Sequence, residues 1–148
     1  MTHFQTSVRI NRPPAEVFAV VADPATYPLW NSAVDDVAPI AGEDGARYTM
    51  SRSLPGGPAT NVLEVLEAVA PTHVVIQASD GPTPFVYRYD LRGGDEQTVL
   101  SLDAEVELDG LFRLAGPLAV RAVKQGVDEN FRSLKRLVEE VFPGGVET

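Results

Sequence analysis

Between residues 117 and 141, polar and apolar positions repeat with a helical period. At roughly 100° per residue, Ala119, Val120, Val123, Val127, Phe131, Leu134, Leu137, Val138 and Val141 fall in one arc about 120° wide. Arg121, Lys124, Gln125, Asp128, Glu129, Arg132, Lys135, Arg136 and Glu139 occupy the other side. This predicts a long amphipathic helix with a single core face. Two residues break the pattern. Asn130 projects inside the apolar arc, and Gly126 sits at its edge one turn earlier.

Most of the remaining chain alternates with the period of a strand. Residues 3–11 place Phe4, Thr6, Val8 and Ile10 on one face. Arg12-Pro13-Pro14 ends that strand, and proline suits the first turn of a helix, where its missing N–H would be unpaired anyway. Residues 15–23 predict a short helix that buries Val17, Phe18, Val20 and Val21. Asp23-Pro24 stops it, because the residue before proline is pushed out of the helical region. Asp23 or Thr26 can cap a second short helical turn over 24–31.

Strands follow at 33–40 (weakly patterned), 47–54, 60–69, 73–79, 84–91 and 97–108. Turn clusters at Pro55-Gly56-Gly57-Pro58, Pro71-Thr72, Asp80-Gly81-Pro82 and Arg92-Gly93-Gly94-Asp95 separate them. Tyr48, Met50, Arg52 and Leu54 share one face. So do Phe85, Tyr87, Tyr89 and Leu91, and so do Leu100, Leu102, Ala104, Val106 and Leu108. The 60–69 strand fits two phases. Either Val62, Glu64, Leu66 and Ala68 point inward, or Asn61, Leu63, Val65 and Glu67 do. The second is preferred, since it leaves the polar residues at the ends. Leu111 to Leu114 bridges to the long helix, and 143–148 reads as a frayed tail.

The order is therefore strand, two short helices, about six more strands and a long helix. Short turns imply antiparallel neighbours, and alternation implies one covered face. Only the last helix is long enough to cover such a sheet, which must curl around it. The predicted class is α+β: a curved antiparallel sheet of about six to seven strands wrapped around a C-terminal helix. A length of 148 residues suggests one domain, 1–148.

Composition narrows the function. The formal net charge of -9 opposes phosphate backbones and anionic lipid surfaces, and no basic stripe is present, so nucleic acid is not an expected partner. No apolar run is long enough to span a bilayer, and the N-terminal residues do not resemble a signal peptide. The absence of cysteine removes disulfides, thiolate catalysis and cysteine metal sites, and fits the cytoplasm. His3 and His73 lack metal-ligand spacing and are expected at the surface. The glycine pairs Gly56-Gly57 and Gly93-Gly94 lie in hairpins, not before helices, so no phosphate loop is expected. Neither a metal nor a cofactor is expected.

The stretch DPATYPLWNSAV (23–34) adds a specific likeness. Asp23, Pro24, Tyr27, Pro28, Trp30 and Asn31, followed by a strand, resemble the START-like helix-grip superfamily (SRPBCC), closest to its polyketide cyclase/dehydrase group. The Gly-Pro-Leu lead-in at 116–118 and the ending Leu134-Lys135-Arg136-Leu137-Val138-Glu139 are similar too. The resemblance implies the helix-grip fold over nearly the whole chain, with a deep apolar cavity between sheet and helix. Such families include lipid carriers, hormone receptors, ring cyclases and quinone-binding chaperones. No catalytic motif is common to all of them, so the resemblance assigns no catalytic residue.

Candidate cavity residues are Trp30, Tyr48, Met50, Arg52, Phe85, Tyr87, Tyr89, Asn130 and Phe131. An unpaired buried amide costs roughly 1–3 kcal/mol, so Asn130 must bond to backbone, to water or to a ligand. Gly126 costs the helix roughly 1 kcal/mol against alanine, which close packing or ligand space can justify, close packing being the commoner use. Trp30 is either a lid at the cavity mouth or core. Arg52 either pairs with an inward Glu64 or, as the expectation has it, extends its charge to the rim. The function expected is binding of a small, largely apolar ligand of lipid, polyketide or aromatic type, by a monomer or homodimer without membrane insertion. The alternatives are a cofactor-independent polyketide cyclase or dehydratase, and a protein-interaction module. The last predicts a contiguous exposed apolar patch.

Overall fold

The computed structural model describes residues 2–40, 46–54, 57–81, 83–107 and 117–141. The bridge at 111–114, the tail at 143–148, and Pro55, Gly56, Pro82, Leu108 and Gly116 lie outside them. Seven strands and a long helix account for most of the chain: β1 (Thr2–Ile10), β2 (Val34–Pro39), β3 (Arg47–Leu54), β4 (Gly57–Val69), β5 (His73–Ala78), β6 (Phe85–Gly93), β7 (Thr98–Val106) and the C-terminal helix α3 (Pro117–Val141). Between β1 and β2 run α1 (Pro14–Val21), a 3-10 turn (Pro24–Thr26) and α2 (Tyr27–Trp30). All pairings are antiparallel, in the order β1-β7-β6-β5-β4-β3-β2. The curved antiparallel sheet, the long C-terminal helix and the two short helices after β1 are as expected.

The local causes are those visible in the chain. Pro14 opens α1, whose buried residues are Val17, Val20 and Val21. Asp23 caps the 3-10 turn through a 3.1 Å bond from the Ala25 N–H to its carboxylate. β7 alternates without a fault: Thr98, Leu100, Leu102, Ala104 and Val106 are buried, with half-exposed or exposed residues between them. On α3, Val127, Phe131, Leu134 and Val138 are buried, and Val123 and Leu137 pack at the margin of the same core.

β4 follows the preferred phase only in part. Asn61 and Leu63 are buried at 1% and 0% exposure and Val65 packs against the core, but Glu67 is exposed. The register with β5 slips between Val65 and Glu67. A bulge inserts one residue and breaks the period of two, and past it Leu66, Glu67, Ala68 and Val69 are all exposed, so the preferred phase holds only as far as Val65. Beyond it Glu67 bonds His73 at 2.8 Å, and Asp90 takes the other ring nitrogen at 3.1 Å. His3, also at the surface, pairs with Asp103.

Polar contacts fix α3 against the sheet edge. The Thr6 hydroxyl donates to Asp128. The Asn11 N–H and Lys135 Nζ donate to Glu139 Oε2 at 2.8 and 2.5 Å. Burial acts to raise the Glu139 carboxyl, but Lys135 and the Asn11 amide outweigh it, and the group titrates below its usual range. A depressed carboxylate stabilises the fold above its unfolded pKa, and that contribution is lost as pH falls through the folded value. Glu139→Gln is therefore expected to lose about 0.3–1 kcal/mol at neutral pH and nothing well below about pH 4. Urea midpoints across that window check it; equal losses at both ends would contradict the assignment.

Candidate functional site

A cavity of about 330 Å³ lies between the concave face of the sheet and α3. Its depth is apolar: Val34, Met50, Leu63, Ile76, Phe85, Val106 and Val127. Tyr27 and Trp30 enter from α2, with their rings edge to face at 5.3 Å. Ser32, Ser53 and Ala122 are exposed members of the wall and mark where the cavity meets solvent. Trp30 is 4% exposed, so it is at once core and cavity wall rather than a solvent-facing lid.

Of the nine expected residues, Trp30, Met50, Arg52, Phe85, Tyr87, Tyr89 and Asn130 line this cavity. Tyr48 and Phe131 do not. Tyr48 is half-buried at the start of β3, and Phe131 stands behind Tyr89, the two ring centroids 6.3 Å apart.

Arg52 corrects the sequence expectation most. It does not reach the rim; it is 8% exposed. Nor does it pair with Glu64, which lies beside Arg47 at 3.5 Å and accepts from Gln77 at 3.0 Å. Instead Arg52 Nε donates to Asn61 Oδ1 at 2.8 Å, and Nη2 donates to the Thr83 hydroxyl at 3.0 Å. The guanidinium carbon lies 5.4 Å from the centroid of the Phe85 ring. Burial lowers the Arg52 pKa from its ordinary value, while nearby Tyr87 and Asp80 act the other way.

The groups that hold Arg52 are themselves held. Asn61 Nδ2 donates to the Asp80 carbonyl at 2.5 Å, and the Asp80 carboxylate accepts the Val62 N–H at 2.9 Å. Gly81 closes that turn with φ +68°, where a Cβ would stand 2.7 Å from Asn61 Nδ2. Only glycine fits there. Thr83 has φ 48°, a rare state for a β-branched residue, and is buried at 7%. Thr83 was not singled out in the sequence; its one signal there is a polar residue between two prolines at the start of a strand.

The three wall tyrosines are neutral donors at physiological pH. Burial, with Asp23 and Tyr48 adding to it, holds the Tyr27 phenol far above its usual value. Burial pushes Tyr87 up to about 12, against the pull of Arg52. Tyr89 is raised well above its ordinary value by burial, with Tyr27 and Tyr87 contributing. Tyr27 spends its hydroxyl on the Val21 carbonyl at 2.9 Å. The Tyr87 and Tyr89 hydroxyls bond to no described residue, and among the described residues no polar side-chain atom is both fully buried and unpaired. Both hydroxyls therefore open on the cavity.

Asn130 serves the structure and the cavity together. Its Oδ1 accepts the Ser32 N–H at 3.1 Å, tying α3 to the α2–β2 connection, and it also lines the wall. Gly126 differs from expectation. A Cβ there would meet nothing within 4 Å, so glycine leaves open cavity space and does not admit a close-packed strand.

No carboxylate or histidine stands among the described wall residues. No group of three acidic or histidine side chains that could hold a metal occurs among the described residues. No helix among them is long and apolar enough to cross a membrane.

The family described as polyketide cyclase / dehydrase and lipid transport matches residues 1–139. The chain belongs to that family. Family membership fits the START-like resemblance read from residues 23–34. The solved structures agree on fold. A START superfamily protein from Mycobacterium smegmatis superposes with a TM-score of 0.78 at 16% identity, over 94% of this chain and 98% of that one. A conserved protein from Geobacillus kaustophilus gives 0.78 at 18% identity, over 94% and 96%. The di-domain ARO/CYC protein BexL of the BE-7585A biosynthetic pathway gives 0.63 at 16% identity, over 94% of this chain and 49% of that one. No curated protein matches the chain.

Proposed function

We propose that this protein binds a small, largely apolar ligand, of lipid, polyketide or aromatic type, in the cavity between its sheet and α3. The carrying observation is the cavity itself: about 330 Å³, apolar in its depth, with a few hydroxyl, amide and guanidinium groups set among the apolar ones. That volume is at the low end of small-molecule sites, and the mixture of lining groups is typical of them. Its role is that of a carrier, sensor or sequestering module, in the cytoplasm and as a monomer or homodimer. The acidic net charge supports a function away from nucleic acid and anionic membranes.

One observation favours an enzymatic reading, a cofactor-independent cyclase or dehydratase. Arg52, Tyr87 and Tyr89 face one interior and can donate hydrogen bonds to a carbonyl oxygen. Proton abstraction from carbon also needs a base. The described wall supplies neutral phenols and a cation, so binding is the better supported reading. Mass spectrometry of a poly-β-ketone incubated with and without the protein separates the two: dehydrated cyclic product formed faster with the protein establishes the enzyme, and no excess over the protein-free control leaves binding as the reading.

Trp30 is the single tryptophan and lines the cavity, so its emission reports occupancy. Titration with apolar dyes is expected to change that emission saturably. Gly126→Leu is expected to weaken binding at least about tenfold by filling the open space beside α3, while helix propensity improves by roughly 0.8–1 kcal/mol. Undiminished dye binding in that variant would remove the cavity from the explanation.

A further inference from the structure

Most polar side chains of the cavity wall already have partners within the protein. Tyr27 donates to the Val21 carbonyl and Ser53 to Asp35, and Thr83 accepts from Arg52. The amide oxygens of Asn31 and Asn130 accept the N–H groups of Ala33 and Ser32. The Arg52 guanidinium is engaged by Asn61 and Thr83, and the Asp80 charge acts on it as well. With its cation so engaged, the described wall favours a neutral ligand over a buried anion.

Tyr87 and Tyr89 differ. Both line the cavity, and neither hydroxyl bonds to a described residue. They stand two positions apart on the inward face of β6, their rings edge to face with centroids 6.2 Å apart. Burial keeps both phenols protonated, so each presents an O–H at neutral pH. A buried phenol hydroxyl ordinarily finds a partner. Here the partner has to come from what fills the cavity.

We infer that the ligand is a neutral ketone, aryl or alkyl, whose carbonyl oxygen accepts from the Tyr87–Tyr89 pair while its apolar body fills the depth beside Met50, Leu63 and Ile76. This deepens the proposed function and rests on it. The pair acts as a selector. A hydrocarbon of the same shape buries the hydroxyls unbonded, which costs about 5–100-fold in affinity. A ketone oxygen has two lone pairs and no proton. It accepts from the phenols and brings no donor that would need an acceptor of its own.

The test pairs each ketone with the alkene in which C=CH2 replaces C=O: 2-acetylnaphthalene with 2-isopropenylnaphthalene, and 2-nonanone with 2-methyl-1-nonene. Isothermal titration calorimetry gives, for each pair, the ratio of the alkene Kd to the ketone Kd. Water solvates the ketone better than the alkene, so the change in this ratio between proteins is the readout. In the double variant Tyr87→Phe/Tyr89→Phe the ratio is expected to fall about 5–100-fold in at least one pair. A change in cavity shape acts on both members of a pair and drops out. A fall confined to the naphthalene pair identifies an aryl ketone; one confined to the nonanone pair, an alkyl ketone. A fall of less than about fivefold in both pairs overturns the inference and leaves the proposed function intact. Failure of all four compounds to bind overturns both together. The lost hydroxyls take no bond from the fold. Should the double variant still fail to fold, infrared spectroscopy reads the bound ketone's carbonyl stretch in the parent and the single variants. A band below its position in cyclohexane that returns toward it in either single variant supports the inference; a band that neither variant moves overturns it.

Discussion

Asn61→Leu is expected to destabilise the fold by about 2–5 kcal/mol, although leucine has the same branching at Cγ as asparagine and is the more easily buried residue. Asn61 is 1% exposed and serves two buried partners: its Oδ1 takes the Arg52 Nε proton, and its Nδ2 satisfies the Asp80 carbonyl. Leucine leaves both without their bond. Each orphaned group costs about 1–3 kcal/mol, more for the charged one. The urea midpoint is expected to fall with an unchanged slope, since the surface exposed on unfolding is the same. A loss below about 1 kcal/mol would mean that Arg52 finds other partners at no cost, and that the turn at 80–83 is not tied through Asn61.

The second large effect is expected at Phe131. Phe131→Ala should cost about 3–5 kcal/mol, or roughly 10–15 °C in Tm for a domain of this size. The residue is 2% exposed and is the largest of the side chains buried most completely. It packs behind Tyr89, so its removal opens a void adjoining the cavity and frees Tyr89 to tilt back. Differential scanning calorimetry reads the stability. The same protein titrated with apolar dyes through Trp30 emission is expected to accept larger ligands than the parent does. A stability loss of less than 1 kcal/mol would show that neighbouring side chains collapse into the space.

The elements with one wet face were legible in the chain. α3 and β7 have strict periods because solvent lies along one side throughout, so residues such as Leu100, Leu102, Leu134 and Val138 fall where the pattern puts them. The Asp23-Pro24 boundary and the two short helices were legible for a local reason, since proline chemistry needs no tertiary partner.

What was hidden was non-local. The alternation of β4 stops at a bulge, and periodicity cannot anticipate an inserted residue. Arg52 fell on the inward face of β3, but its burial depends on Asn61 on the next strand and on Thr83 before β6. Tyr48 shares that inward face and Phe131 shares the apolar arc, yet neither reaches the cavity wall. Sharing a face fixes direction, while the curvature of the sheet decides which inward residues meet empty space. Gly126 is the same case on the helix: a missing side chain looks identical in sequence whether a strand or open space lies opposite.

The sheet order also determines when the cavity can exist. β1 pairs only with β7, and His3 meets Asp103, 100 positions further along the chain. The strands from β2 to β7 can zip up in sequence, each beside the one before it. β1 cannot join them until β7 is in place, and α3 packs against β1. Contacts at this separation carry the largest loop-closure cost and dominate folding time in sheet proteins. The binding chamber is therefore expected to close late in folding, when α3 docks on β1. Until then its apolar lining is open to water, and a ligand that binds early would assist the closure that encloses it.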